Sequence, residues 1–295
     1  MFASLTNPNL RGAVFMMTAL AAYTFNDAFI KLAMLEVGLF QAIAVRGVMA
    51  SAFLFGLCLH QGAFRAPIVG RDRGFVALRV GAEVIGTATF LTALLNAPLA
   101  NVTAILQIVP LAVTLAAALF LGEVIGWRRM LAIGLAFGGV LLIIRPTAEG
   151  FTDTSYLALI TVVCIVVRDL TTRKLSPGIS ALKVALFTAL AITALGWAGL
   201  LRETWEPLEA SEWFFLLAAA VSIIGGYVFS VLAMQTGDVA FVAPFRYTVM
   251  VWALLLGLIL FQEVPDRLTF VGILIVIAAG LFAWWRERQS SPPRA

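Results

Sequence analysis

Residues 97–146 read APLANVTAILQIVPLAVTLAAALFLGEVIGWRRMLAIGLAFGGVLLIIRP, and residues 236–287 read TGDVAFVAPFRYTVMVWALLLGLILFQEVPDRLTFVGILIVIAAGLFAWWRE. Each opens a long apolar run near an alanine (Ala100, Ala240) and closes it on a Glu-Val pair (Glu123-Val124, Glu263-Val264). A second run follows, with a glycine near its start (Gly134, Gly272). Leucine-rich segments align easily, but the shared Ala…Glu-Val…Gly register points to duplication. The beginnings of the two halves match more faintly. Asp27 and Lys31 stand four apart in the first apolar run, Asp169 and Arg173 four apart in the sixth.

Working outward from this pair, charges and turn formers divide the chain into ten apolar runs. They lie near 12–33, 38–58, 74–95, 99–121, 129–145, 155–173, 178–200, 213–234, 239–261 and 268–285. Runs of about twenty residues match the length that crosses the hydrocarbon core as helix, where backbone groups must pair within each segment. Composition agrees. The 295 residues are 62% hydrophobic and 12% charged, against roughly 45–50% and 25% in soluble domains, and the mean hydropathy is +1.01. That excludes a soluble fold. The runs lack the short apolar–polar alternation of a β-barrel. The expected fold class is an all-α integral membrane protein with ten transmembrane helices.

The halves divide as 1–147 and 148–295, with five spans each. An odd number of spans inverts the second half, the arrangement of transporters that alternate access around a site between repeats. With the N-terminus inside, the inner segments hold eleven Lys and Arg, among them Arg65, Arg71, Arg73, Arg128, Arg129 and Arg294. The outer ones hold four: Lys31, Arg145, Arg202 and Arg267. The excess of basic residues on the cytoplasmic side then places both termini in the cytoplasm; the expected location is a bacterial inner membrane. Only Arg11 precedes the first run and no small-residue cleavage site ends it, so it is expected to be a retained helix. The run Glu203, Glu206, Glu209 and Glu212 is expected to form a solvated outer rim. Trp127, Trp205, Trp213, Trp284 and Trp285 fall near interfaces, where aromatic anchors belong.

Short loops leave no room for a nucleotide-binding or catalytic domain. No HExxH, GxGxxG, Walker sequence or nucleophile elbow occurs, Cys58 and Cys164 lie in apolar runs, and His60 stands alone. No enzyme activity, metal, cofactor or nucleic-acid partner is expected.

Ten helices, two five-helix halves and a glutamate closing the fourth and ninth helices resemble the EamA-like branch of the drug/metabolite transporter superfamily. The resemblance covers essentially the whole chain, and LGEVIGWRRMLAIGLAFGGVLLI at 121–143 is particularly similar to its repeated closing pattern. The second copy, at 261–282, lacks the glycine before its glutamate and is two residues shorter between Glu and Gly. The resemblance implies a secondary transporter with a cavity formed mainly by the first, third, fourth, sixth, eighth and ninth helices. It does not name the cargo, since one fold serves many.

A charge in hydrocarbon costs roughly 2.5–3.5 kcal/mol on insertion scales, so residues kept there normally face a cavity or a partner. The first span places Tyr23, Asp27 and Lys31 on one stripe with Asn26 beside it; Lys31 can snorkel outward and Asp27 is too short to do so. Arg46, central in the second span, has no local acid. It requires one from another helix, water, or an anionic group of the cargo. Arg79 and Glu83, four apart, are placed to neutralise one another. The fourth span carries Thr103, Gln107, Pro110 and Thr114, a polar stripe at a proline that frees a carbonyl. In the repeat register Gln107 falls opposite Tyr247, beside Arg246 and just after Pro244. Adjacent Arg168 and Asp169 point about 100° apart on a helix, so one is expected to face the cavity while the other pairs across helices. Tyr227 and Gln235 share a broad face near Gly225-Gly226. Trp252 is central, and Gly134-x-x-x-Gly138 is a candidate packing surface.

The candidate binding set is therefore Tyr23, Asn26, Asp27, Arg46, Glu83, Gln107, Arg168, Asp169, Tyr227, Arg246, Tyr247 and Trp252. Asp27 and Glu83 are the candidate proton carriers. Buried bases outnumber acids by one, favouring a zwitterionic or anionic, amino-acid-like organic solute held by Arg246 and Asp27. The alternatives are an aromatic vitamin or nucleoside-like solute such as a flavin, stacked on Tyr23, Tyr227, Tyr247 and Trp252, and a non-transporting packing or assembly protein. Expected partners are the small solute, membrane lipid and a proton or exchanged solute, in a monomer or weak homodimer.

Overall fold

A single glycine separates the first two helices: Gly38 has φ +81°, a conformation that L side chains rarely adopt. The computed structural model describes residues 8–64, 67–68, 70–121, 126–145, 152–176, 179–236 and 242–290. Arg65, Glu123, Val124, Ala240 and Arg294, singled out above, lie outside the described residues. The α-helices are α1 (Pro8–Val37), α2 (Leu39–His60), α3 (Arg71–Asn96), α4 (Leu99–Leu106), α5 (Val109–Leu121) and α6 (Trp127–Ile144). They continue with α7 (Asp153–Arg173), α8 (Ala181–Gly199), α9 (Ala210–Thr236), α10 (Val249–Phe261) and α11 (Arg267–Ser290), and a 3₁₀ stretch, Ala243–Thr248, leads into α10. Among the described residues eight helical segments are long and apolar enough to cross a membrane, with α4 and α5 together counting as one. Two shorter apolar helices, Met130–Ile144 and Phe245–Phe261, bring the number to ten.

The fourth span is not one continuous helix. Gln107 and Ile108 donate to the carbonyls of Ala104 (3.1 Å) and Ile105 (3.2 Å), three residues back instead of four. Pro110 has no N–H for the carbonyl of Leu106 and its ring crowds the preceding turn, so the helix tightens and restarts. Thr114 Oγ1 donates to the Pro110 carbonyl at 2.9 Å. In the second half the 3₁₀ stretch ends at Thr248, which aligns with Ile108. Both copies therefore depart from α-helix at the same register.

The chain forms two compact units divided at four points, three of them inside helices: after Phe25 in α1, after Ser155 in α7 and after Val221 in α9. One unit comprises Met1–Phe25, Ala97–Ser155 and Ser222–Ala295; the other comprises Asn26–Asn96 and Tyr156–Val221. In the latter, α2 runs along α8 and α3 also packs on α8. A Cβ added at Gly196 would lie 2.5 Å from the Ala44 backbone N, and one at Gly47 would lie 3.1 Å from Thr193 Cα. In the former unit α6 runs along α11. There a Cβ on Gly272 would lie 2.7 Å from the Gly139 carbonyl oxygen, and one on Gly139 would lie 3.0 Å from that of Gly272. Small residues let membrane helices approach this closely. Each unit is thus built around a pair of equivalent helices, one from each half: the second spans in one, the fifth in the other. No close backbone contact within the chain forms at Gly134 or Gly138, where a Cβ meets nothing within 4 Å. Gly139, on another face of the same helix, makes one instead.

The acidic run after α8 does more than line a rim. Glu203 Oε2 accepts from the backbone N–H of Phe40 (3.0 Å) and Gln41 (3.3 Å). This satisfies the first turn of α2, where the N-cap is Gly38 and offers no side chain. Buried Gln41 exchanges bonds with the Glu206 backbone, donating Nε2 to its carbonyl at 2.7 Å and accepting its N–H at 2.9 Å. Glu212 accepts from the Glu209 N–H (2.8 Å) just before α9, the reciprocal half of a capping box.

Between α10 and α11, Asp266 Oδ1 accepts from the Thr269 N–H at 2.9 Å and from Arg145 Nη2. The backbone bond, then the arginine, hold this carboxyl below its ordinary value. A depressed folded value favours the native state above the unfolded value of about 3.9, and the benefit is lost as pH falls through the folded value. Asp266→Asn is therefore expected to melt below the parent protein by a constant margin between about pH 5 and pH 8. The margin should close progressively below about pH 4. A margin that stays the same in acid would refute this account.

Candidate functional site

In the unit containing residues 26–96, α1 and α2 bring three of the predicted residues together. Asn26 Nδ2 donates to Asp27 Oδ1 at 2.9 Å, and Arg46 Nη1 donates to Asn26 Oδ1 at 2.9 Å. Arg46 also acts electrostatically on Asp27. Asn26 is 3% exposed and Arg46 7%. The acid that Arg46 required is thus Asp27, with the amide of Asn26 bridging the two. Each polar group answers a neighbour, as buried polar groups must. Lys31 is buried at 5% exposure, so it is enclosed by protein and does not snorkel outward.

A second cluster joins α3 and α7. Arg168 Nη1 lies 3.3 and 3.4 Å from the two carboxylate oxygens of Glu83, while its Nε donates to Asp169 Oδ1 at 2.8 Å. Two acidic side chains share one guanidinium. The expected Arg79–Glu83 neutralisation gives way to bonds between helices. Arg79 instead donates to Thr172 Oγ1 (3.0 Å) and Thr188 Oγ1 (2.9 Å), tying α3 to α7 and α8. Arg168 is the member of the adjacent pair that reaches across helices, to Glu83, and it holds Asp169 as well. A long guanidinium side chain spans the 100° step between adjacent helical positions, so one arginine serves both acids.

In the other unit two of the four aromatic candidates, Tyr23 on α1 and Tyr227 on α9, come together. The rings of Tyr23 and Tyr227 meet edge-on, 5.8 Å apart, and Tyr23 Oη lies 3.3 Å from Ser230 Oγ. Gly226 makes room, since a Cβ there would strike the Tyr23 ring. Phe25 lies 6.3 Å from Trp252. Arg246 is exposed on the 3₁₀ stretch. Tyr247 directs its hydroxyl at Gly280, where any side chain would collide with it. Gln107 sits at the tightened turn between α4 and α5.

Two features escaped the sequence reading. Glu263, recognised only as a repeat marker, accepts from the Leu99 N–H at 2.8 Å and satisfies the start of α4 after Pro98. Asn101 keeps a buried side-chain oxygen with no hydrogen-bond partner. A glutamate at a helix end is a legible signal, but its partner lies 164 residues away. Among the described residues no group of three His, Cys, Asp or Glu side chains is placed to hold a metal.

The model of the EamA-like transporter family matches residues 10–145 and 154–285. A riboflavin transporter of Vibrio cholerae is 26% identical over 294 residues, covering 99% of both chains. An S-adenosylmethionine uptake transporter of Rickettsia prowazekii is 23% identical over 284 residues, covering 95% of each. A pseudopaline exporter of Pseudomonas aeruginosa is 25% identical over 270 residues, covering 89% of this chain and 93% of its own. A solved crystal structure superposes with a TM-score of 0.63 at 18% identity, over 95% of this chain and 99% of that one. That likeness concerns the fold alone.

Proposed function

The chain belongs to the EamA-like transporter family, and on that premise we propose that it moves a small zwitterionic or anionic, amino-acid-like organic solute across the bacterial inner membrane by alternating access. Both termini face the cytoplasm in this reading, supported by the distribution of lysine and arginine. The observation that carries the choice of cargo is the relay of half-buried Asp27 with buried Asn26 and Arg46. A carboxylate and a guanidinium linked by one amide offer a site for an ammonium beside a site for a carboxylate. Such charges inside a membrane helix are costly unless function or pairing retains them. Arriving solute would exchange one of its own groups for a bond of the relay. Asp27 and Glu83 are the groups suited to carry a coupled proton.

A second reading has its own support. Tyr23 and Tyr227 present an aromatic pair, and relatives are named for riboflavin and S-adenosylmethionine, both of which contain fused aromatic rings. In this reading the tyrosines stack the cargo.

Solute counterflow in proteoliposomes separates the two, using amino acids, small carboxylates, nucleosides and flavins. An amino-acid-like hit should fall at least roughly tenfold in Asp27→Asn, the loss expected when a charge-assisted bond to the cargo disappears, and persist in Tyr227→Ala. A flavin or nucleoside hit lost in Tyr227→Ala and kept in Asp27→Asn would replace the first reading with the second. Flux indifferent to both changes would remove the proposed site.

A further inference from the structure

The unit containing residues 26–96 and 156–221 has a cleft of about 940 Å³ between α3 and α8. Val76, Val80 and Val84 line one wall, and Phe187, Ala191 and Leu195 line the other. Each trio recurs every four residues, so each wall is a straight ridge about 12 Å long at the helical rise per residue. One end differs from the rest. Arg73 and Lys183 line it together with Ile68, and Arg73 Nε donates to the Ile68 carbonyl at 2.9 Å, which anchors the guanidinium there. Two more cations stand nearby against one ring, Arg71 at 5.1 Å and Lys174 at 6.0 Å from the centroid of Phe75. The acid of that turn, Asp72, accepts from the Ser176 N–H.

We propose that this cleft binds one anionic phospholipid, with the head-group phosphate at Arg73 and Lys183 and one acyl chain lying between α3 and α8. The ridges are apolar and present almost nothing to a polar solute, whereas a hydrocarbon chain fills them without desolvation cost. The cationic end selects among lipids, because basic pockets between membrane helices attract anionic head groups. Asn26, Asp27 and Arg46 do not line the cleft, so the lipid and solute sites are separate and can fail separately.

The test titrates phosphatidylglycerol or phosphatidylcholine into the purified full-length protein in neutral detergent. Melting temperature and the lipid retained in native mass spectrometry are the two readouts. Phosphatidylglycerol is expected to raise the melting temperature and remain bound as a single copy, and phosphatidylcholine to do neither. Arg73→Gln with Lys183→Gln should weaken the binding roughly tenfold or more, as loss of two charges near a head group implies. Gly81→Leu gives an independent reading should that double variant fail to fold. A Cβ at Gly81 meets nothing within 4 Å, and Gly81 lines the cleft, so leucine fills the acyl path without disturbing the helix. Retention of phosphatidylglycerol should drop there as well. Equal binding of the two lipids, or phosphatidylglycerol binding unchanged in Gly81→Leu, would overturn the proposal.

Discussion

Arg46→Leu is expected to destabilise the protein by about 3 kcal/mol, the scale found when one member of a buried charge pair is removed. Arg46 is 7% exposed, and its bond to Asn26 lies within the protein. Leucine retains much of the apolar bulk, so the loss comes from groups left behind. Asn26 Oδ1 loses its donor and Asp27 loses its compensating charge. Asp27→Asn in the same background should return most of the lost stability, because a neutral amide beside Asn26 no longer needs a cation. The signature is the coupling between the two changes, read by denaturant titration of all four proteins. Additive effects would mean that the relay is not an energetic unit. Counterflow of the same set separates structure from transport: the double variant should fold well and carry solute poorly.

Gly196→Ala carries the second large effect, about 2–3 kcal/mol of destabilisation, the upper part of the overpacking range in a close-packed interior. The new methyl would stand 2.5 Å from Ala44 N and 2.8 Å from Ala44 Cα. Both are backbone atoms, which cannot swing aside, so α2 and α8 must separate along their length. Gly134→Ala and Gly138→Ala supply the contrast. Neither Cβ meets anything within 4 Å, and alanine is favoured over glycine in a helix interior by roughly 0.5–1 kcal/mol. Both are expected to be neutral or mildly stabilising. Unfolding measurements that ranked Gly134→Ala below Gly196→Ala in stability would refute the pairing of α2 with α8.

The helical membrane fold and its duplication were legible because they depend on quantities that run along the chain. Apolar length determines what crosses the bilayer, and the spacing of Ala100, Glu123 and Gly134 against Ala240, Glu263 and Gly272 exposes the repeat. Local chemistry was legible too. Pro110 foretold the opened backbone of the fourth span, and Pro244 marked the 3₁₀ stretch in the second half. Pairing was harder to read. Arg79 and Glu83 stand four apart on one helix, an ordinary distance for an ion pair, yet Glu83 meets Arg168 and Arg79 meets two threonines. Helical spacing says which groups can meet within an element, while a long guanidinium reaches a neighbouring helix just as easily. The crossing of helices settles that competition.

The glycines follow the same division. A GxxxG spacing marks a face that is able to pack closely, but another backbone lies against Gly139 in α6, Gly272 in α11, Gly196 in α8 and Gly47 in α2. The linear chain thus settled how many spans there are, that they duplicate, and which polar residues had to be placed within lipid. Only the tertiary arrangement settled that Asn26 links Asp27 to Arg46, that Arg168 holds two acids, and that Glu203 and Glu263 serve distant helix starts. Periodicity orients side chains about a helix axis, whereas the depth and rotation of one helix against the next follow from how small residues let their backbones meet.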